Sequence, residues 1–237
     1  MAAMPAEVAF RLSLAHGRCV GVRIPAELDD AHLQGLCAEE RAFLAGLALA
    51  RRPSWLGGRV ALHLALADAG LHAGAILVGR RGAPDLPAAV VGSISHKRTL
   101  AVGLADARDG EGGLGVDLEV ALPVCATEEA ARAEMHPDIR KRVLTPDELT
   151  AVAALPLVEQ RRRVVLHFSL KEALYKAINA MLSRYVSFHE ASVHPRPDGT
   201  AHVELALQNC STRWYTDARW MEIEGHFLTS VKVRPLP

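Results

Sequence analysis

Between Val8 and Leu14 large apolar residues fall at every second position, so Val8, Phe10, Leu12 and Leu14 share a face; His16-Gly17 then turns the chain into a second such run, Cys19 to Ile24. A period of two marks a strand, and two runs around a turn predict a hairpin. From Ala26 to Ala50 the period lengthens to that of a helix. Residues 57–70 (GGRVALHLALADAG) predict another helix, apolar on nearly every side and therefore buried, closed by Gly70. A loop rich in Gly, Pro and Arg runs from Gly79 to Pro87. Three short strands follow in AAVVGSISH (88–96), TLAVGLA (99–105) and GLGVDLEV (113–120), separated by turn residues. Pro123, Pro137 and Pro146 punctuate a stretch of helical pieces, and Leu157 to Leu182 predicts the strongest helix of the chain. The tail returns to strands at VSFHEASV (186–193), AHVELAL (201–207), RWMEIEG (219–225) and FLTSVKV (227–233). The class predicted is α+β with mostly antiparallel strands.

Composition narrows the setting. With 237 residues, half of them hydrophobic, the chain can bury one large core or two smaller ones that share a boundary. Lys+Arg and Asp+Glu balance at 27 each, which removes the net positive charge expected of a nonspecific nucleic-acid binder. Cys19, Cys37, Cys125 and Cys210 lie far apart, with neither CxxC pairs nor disulfide-scaffold density. The N-terminus lacks the order of a signal peptide, and no apolar run approaches membrane-spanning length. A soluble, cytoplasmic chain is expected, with no nucleic acid or membrane as partner.

Two segments carry charge where apolar packing is expected. In GLGVDLE the pleat puts Asp117 and Glu119 on one face, and Val116 and Leu118 on the other. Two carboxylates a few ångströms apart call for a cation. In HFSLKEALYKAINAML the apolar positions Phe168, Ala173, Leu174, Ala177, Ile178, Met181 and Leu182 recur at helical spacing and leave Lys171, Glu172, Tyr175 and Lys176 nearer the other side. Glu172 and Lys176, four apart, read on their own as a solvated ion pair worth about 0.3–0.5 kcal/mol. Ser169 and Glu172 also have capping-box spacing, a reading that fails if the helix begins near Leu157 and makes Ser169 interior.

Taken in order, SISHKRTLAVGLA, GVDLE and FSLKEALYK resemble the 4'-phosphopantetheinyl transferases, in particular the larger single-chain type that activates siderophore, peptide and polyketide synthetases. That family carries G-[VI]-D-x-E and, some tens of residues later, [FW]-[SC]-x-K-E-[AS]-x-x-K; every charged position of both is filled here. RRPSWLGGRVALHLAL (51–66) is similar to the family's basic, aromatic segment and GHFLTSV (225–231) to its closing strand, so the likeness spans roughly Ala50 to Val231. One position departs: the family usually has a small residue after the histidine, and this chain has Lys97 and then Arg98.

The resemblance implies a reaction. The 4'-phosphopantetheine arm of coenzyme A moves to a serine of an apo acyl or peptidyl carrier protein, and 3',5'-ADP is released. Asp117, Glu119 and Glu172 would hold Mg2+, a hard cation that combines few protein carboxylates with phosphate and water oxygens. Glu172 and Lys176 would be the catalytic pair, either of them the base, with Lys176 also on the phosphates. Arg51 and Arg59 match the family's two basic positions for the 3'-phosphate; Arg52, Arg80 and Arg81 are added because guanidinium forks suit phosphate. The arginines 51 and 52 fit a helix C-terminus equally well. Ser95 and His96 match the family's Ser-His strand end, and Lys171 is left either structural or phosphate-steering.

The implied fold is α+β in two pseudo-twofold-related halves, each a mostly antiparallel sheet packed with helices, with coenzyme A in the cleft between them. Residues 1–112 would form the nucleotide-binding half and 113–237 the half with the metal and catalytic motifs. The chain would act as a monomer, and the carrier protein is expected near Thr127 to Leu157. Two other classes remain open on the sequence: a noncatalytic coenzyme A binding or carrier-protein adaptor of the same fold, and another Mg-dependent enzyme of nucleotides or phosphoesters.

Overall fold

A computed structural model describes residues 6–121, 137–179, 181–182 and 184–237. The predicted hairpin is present as β1 (Val8–Leu14) and β2 (Gly17–Arg23), antiparallel, with a bulge between Val8 and Phe10. The helical pattern from Ala26 to Ala50 is two helices, α1 (Asp30–Leu33) and α2 (Ala38–Gly46). Gly35 lies in the break, and the Glu40 carboxylate reaches back to the Cys37 N–H at 3.2 Å, fixing the start of α2. Helix α3 (Arg52–Asp68) begins earlier than its apolar run suggests, because Pro53 suits the first turn, where its missing N–H costs nothing. Gly70, at φ +69°, ends it.

Strands β3 (Val90–Lys97) and β4 (Leu100–Ala107) complete a four-stranded antiparallel sheet of order β1-β2-β4-β3. α3 lies across it and buries Leu56, Val60, Leu62, Ala65 and Leu66 against Val20, Val22, Ala101 and Ala105. The second sheet opens with β5 (Gly113–Val120) and adds β6 (Ala191–Pro195), β7 (Thr200–Leu205), β8 (Trp214–Ile223) and β9 (His226–Pro235) in the order β5-β9-β8-β7-β6. Before β6, the segment Phe188–Glu190 is a single 3-10 turn where strand alternation is predicted. The long α6 (Leu157–Asn179) packs on this sheet, α5 (Pro146–Ala153) packs on α6 and β6, and α4 (Pro137–Val143) packs on α6 and the 3-10 turn. α6 contributes Leu166, Leu170, Leu174 and Ile178 to a core with Val193, Phe227, Val231 and Val233. The result is the α+β class with two antiparallel sheets, each packed with helices.

A third cluster joins the two sheets. Leu114, Val116 and Leu118, the apolar face of β5, are buried with Cys19, Val91, Leu100, Val102 and Leu104 of the first sheet. His16, at the β1–β2 turn, adds a polar tie, with Nδ1 2.9 Å from Ser230 Oγ. Among the described residues no helix is long and apolar enough to cross a membrane. Of the segment expected to receive the carrier protein, residues 127–136 lie outside the described residues, as does Cys125; the remainder builds α4 and α5.

Arg184 grips Glu190 with two nitrogens, at 2.6 and 3.0 Å, while the N–H groups of Ser187 and Gln208 donate to the same carboxylate. The Arg184 bonds, ahead of opposing burial, draw the Glu190 carboxyl down from 4.5 to about 2. A carboxyl depressed on folding stabilises above its unfolded pKa and loses that contribution as pH falls through the folded value. Thermal unfolding should therefore show Glu190→Gln less stable than wild type at pH 7, the gap closing between about pH 4.5 and 2. A gap independent of pH would show that this ion pair contributes nothing.

Candidate active site at the seam of the two sheets

The two sheets meet along their edge strands β3 and β5. Ser93 Oγ accepts the N–H of Val116 at 3.0 Å, so a side chain satisfies an edge donor that has no ladder partner there. The other face of β5 carries the glycines that begin its sequence. A Cβ on Gly113 would stand 1.8 Å from the Ala177 carbonyl oxygen, and one on Gly115 would stand 1.9 Å from that of Ala173. Only bare backbone lets α6 rest directly on the strand. Two strand residues advance about 6.6 Å and four helix residues about 6 Å, so the contacts repeat in step. The next pair is Asp117 with Ser169, whose Oγ donates to Oδ2 at 3.0 Å.

Asp117 is the hub of what results. Beyond Ser169, it accepts from Ser95 Oγ at 2.9 Å and from Lys176 Nζ at 2.7 Å, both on Oδ1. Lys176 also donates to the Val116 carbonyl at 3.0 Å. Asp117 is buried, whereas Glu119, two residues along the same face, is half-buried and spanned by Lys97 Nζ at 2.9 and 2.6 Å. Glu172 stands one helical turn before Lys176. Burial, then the Asp117 charge, holds the Glu172 carboxyl above the ordinary range, with Glu119 adding and Lys176 opposing. Burial also raises Glu119, against the hydrogen bond and charge of Lys97, with Asp117 adding.

Three carboxylates that burden one another form an all-oxygen donor set, the chemistry a hard divalent cation such as Mg2+ prefers. They are not drawn onto a single point. Among the described residues no three Asp, Glu, His or Cys side chains form a preassembled metal site. Asp117 and Glu119 turn to Lys176 and Lys97 instead.

A cleft of about 660 Å³ opens beside this cluster, walled by α3 and β3 on one side and by α6 on the other. Arg51, Arg59, Arg81, His96, Glu172 and Lys176, all singled out from the sequence, line it. Ser95 and Asp117 stand behind Lys176. Arg59 is buried, its Nε donating to the Ile76 carbonyl at 2.9 Å and its guanidinium 4.5 Å from the Trp55 ring centre. Burial lowers its pKa to about 10, against the pull of Glu40, so it remains charged at neutral pH. Among the described residues no carboxylate ion-pairs with it, and Trp55 Nε1 is buried without a hydrogen-bond partner. His96 is open to the cleft, yet its imidazole sits below its usual range, first through desolvation against the wall and then through the Lys176 and Arg51 cations. A site with this much uncompensated positive charge, next to acids that themselves call for a cation, suits a polyanion carrying several phosphates.

Two of the arginines lie elsewhere. Arg52 donates from Nε and Nη2 to the carbonyls of Leu47 and Ala45, capping the C-terminus of α2, and Arg80 is exposed outside the cleft. Arg81, in the left-handed region at φ +56°, reaches across the seam to Asn179 Oδ1 and the carbonyls of Leu182 and Arg184 at 3.3, 3.1 and 2.9 Å. Lys171 is structural: it is buried on Glu148 at 2.7 Å and on the Val143 and Phe188 carbonyls at 2.8 and 3.0 Å, remote from the cleft. Since α6 begins at Leu157, Ser169 is interior, and its hydroxyl serves Asp117 rather than a helix cap. Trp55, in the basic, aromatic segment, and Tyr175, on the polar side of the helix, carry no site role in the sequence reading, and Asn179 is absent from it; all three stand in the cleft wall. Tyr175 and Asn179 sit one turn apart on the face of α6 that carries Glu172 and Lys176, a signal that four-residue spacing provides.

An α+β chain with a cation-lined cleft flanked by acids at the meeting of two sheets has the groups that phosphoryl chemistry uses. Comparison with known proteins identifies the family. Residues 113–226 match the 4'-phosphopantetheinyl transferase superfamily model, and residues 39–106 match the model of the 4'-phosphopantetheinyl transferase N-terminal domain. The 4'-phosphopantetheinyl transferase Npt of Nocardia iowensis is 30% identical, over 76% of this chain and 82% of that relative. The 4'-phosphopantetheinyl transferase Svp of Streptomyces mobaraensis is 31% identical, over 84% and 78%. Among solved structures, the Chronobacterium ammoniagenes ACPS-CoA complex aligns with 53% of this chain and 98% of its own at 17% identity and a TM-score of 0.39. The chain belongs to the 4'-phosphopantetheinyl transferase superfamily and is an enzyme of its larger single-chain type.

Proposed function

We propose that this enzyme takes coenzyme A into the seam cleft and transfers its phosphopantetheine arm to a serine of an apo carrier protein, releasing 3',5'-ADP. Residues 1–112 supply the nucleotide side and residues 113–237 the reacting side. The observation that carries the reading is one cleft lined by Arg59 and His96 from the first sheet's half and by Glu172 and Lys176 from α6, with Asp117 bonded to Lys176. Cations at one end suit a terminal phosphate, and acids with a lysine at the other suit a pyrophosphate under attack.

Arg59 and Arg51 bind the 3'-phosphate, and stacking on Trp55 keeps the Arg59 fork oriented. The serine hydroxyl attacks the phosphorus that bears the pantetheine arm; the bond from that phosphorus to the bridging oxygen breaks, and 3',5'-ADP leaves with the electron pair. Glu172 accepts the serine proton, directly or through a water. Glu172 lines the cleft with, among the described residues, no lysine on its carboxylate, whereas the Lys176 ammonium already donates to Asp117 and to the Val116 carbonyl and so acts as a phosphate-facing cation. Asp117, Glu119 and Glu172 would hold Mg2+, which supplies neutralisation of the pyrophosphate and of the charge on the leaving oxygen.

Intact-mass measurement tests the reading. An apo carrier protein incubated with coenzyme A, Mg2+ and this enzyme should gain one phosphopantetheine; no gain across several apo carriers, with the enzyme shown to be folded, would refute it. Arg59→Ala should weaken coenzyme A binding about tenfold or more, as loss of a charged hydrogen-bonding fork does. An unchanged dissociation constant in titration calorimetry would remove Arg59 from the site.

A further inference from the structure

Glu40 has no part in the reaction outlined above, and only one of its hydrogen bonds serves the start of α2. The residue is 1% exposed on α2, and its carboxylate is fully engaged: Oε1 accepts from His63 Nε2 at 2.8 Å and from the Ile76 N–H at 2.9 Å, and Oε2 accepts from the Cys37 N–H. Ile76 lies in the irregular segment between α3 and the Arg80–Gly82 turn; its side chain is buried in the core and an antiparallel bridge of Val78 with Pro84 follows, but no ladder reaches the peptide groups of Ile76 itself. Its peptide groups are held from two sides. Glu40 takes the N–H, and the carbonyl of the same residue takes the Arg59 Nε–H at 2.9 Å, with Arg59 Nη2 at 3.4 Å from the next carbonyl, Leu77. Phe43, one turn along α2 from Glu40, stacks on Trp55 at 5.2 Å between ring centres, and Trp55 lies under the Arg59 guanidinium. α2 therefore sets both supports of Arg59: the carbonyl that anchors its Nε and the ring beneath its plane.

We infer that Glu40 is a positioning residue for Arg59, acting through the Ile76 backbone, and that it thereby sets the preference of this enzyme for a coenzyme bearing a 3'-phosphate. The inference rests on the proposed placement of that phosphate at Arg59. Two physical effects combine. The Ile76 side chain is held in the core, but without Glu40 its N–H loses its acceptor and the peptide group is free to tilt, so the Arg59 Nε loses a fixed acceptor and the guanidinium loses the single orientation in which its remaining N–H groups face the cleft. The buried Glu40 charge also offsets that of Arg59 across one residue, without occupying the fork that a phosphate needs.

The test compares coenzyme A with 3'-dephospho-coenzyme A, by titration calorimetry and by steady-state transfer, for the wild type, Arg59→Ala, Glu40→Gln and Glu40→Asp. Glu40→Gln should raise the dissociation constant and KM for coenzyme A about tenfold, with kcat and the affinity for the dephospho form near wild type. Its selectivity then collapses toward that of Arg59→Ala. Glu40→Asp keeps the charge but draws the carboxylate back by one methylene, and should lose part of the selectivity; it stands as the readout if the glutamine variant does not fold. Should Arg59→Ala retain full selectivity, the placement of the phosphate is wrong. Should Arg59→Ala lose selectivity while the Glu40 variants keep it, or weaken both ligands equally, the positioning role fails and Glu40 only stabilises the fold.

Discussion

Asp117→Asn is expected to reduce phosphopantetheine transfer at least about 10³-fold, roughly 4 kcal/mol in the activation barrier, while the protein remains folded. The asparagine keeps the size and one acceptor oxygen, so one of the two serines keeps its acceptor and the hydroxyl of the other can turn to accept from the amide, which keeps the centre of the seam filled. It removes the negative charge that both Lys176 and a divalent cation require, and it places an NH2 group where two donors already point. Glu172→Gln should be similarly inactive for a different reason, since the amide cannot take the serine proton. Coenzyme A binding measured without Mg2+ separates the two effects from a general collapse: it should change little in Glu172→Gln, because the phosphate cations are untouched. Transfer within about tenfold of wild type in either variant would remove that residue from the reacting centre.

Gly115→Val should be nearly as damaging from a position with no chemistry of its own. The first added carbon would stand 1.9 Å from the Ala173 carbonyl oxygen, and that oxygen belongs to a helix backbone that cannot swing aside as a side chain can. α6 must lift, and Glu172 and Lys176 lift with it. Overpacking of this kind costs about 3 kcal/mol or more, a fall of roughly 6–12 °C in Tm for a chain of this size. Transfer should fall further than the stability loss explains, because the fraction still folded carries a displaced acid and lysine. A thermal midpoint and turnover both near wild type would show that the glycine contact does not set the helix.

Much of this site can be read from alternation alone. The two-residue period of β5 separates Leu114, Val116 and Leu118, which build the shared core, from Asp117 and Glu119, which face the helix. The same parity places Gly113 and Gly115 on the acidic face, so the strand's sequence encodes both the bare track for α6 and the acids at its end. The identity of the partners is not written there. Lys176 pairs with Asp117 because α6 runs against β5 with its turns in step, a fact of packing between segments nearly 60 residues apart in sequence. Basic residues were the least legible, since a guanidinium serves a phosphate or a helix end equally well. Of the adjacent pair, Arg52 opens α3 and turns back to cap α2, while Arg51, in the turn just before it, lines the cleft. Glu40 was invisible for a related reason: it reads as the ordinary acid of a helix's first turn, and only the irregular Ile76 segment folding over it creates its role.

The arrangement of the reacting groups is most directly tested by a crystal structure with coenzyme A and Mg2+ bound. The pyrophosphate should lie beside Lys176, with the ion against the carboxylates of Asp117, Glu119 and Glu172 and the 3'-phosphate at Arg59. A pyrophosphate bound away from Lys176, or an ion that leaves Glu172 and Asp117 untouched, would contradict it.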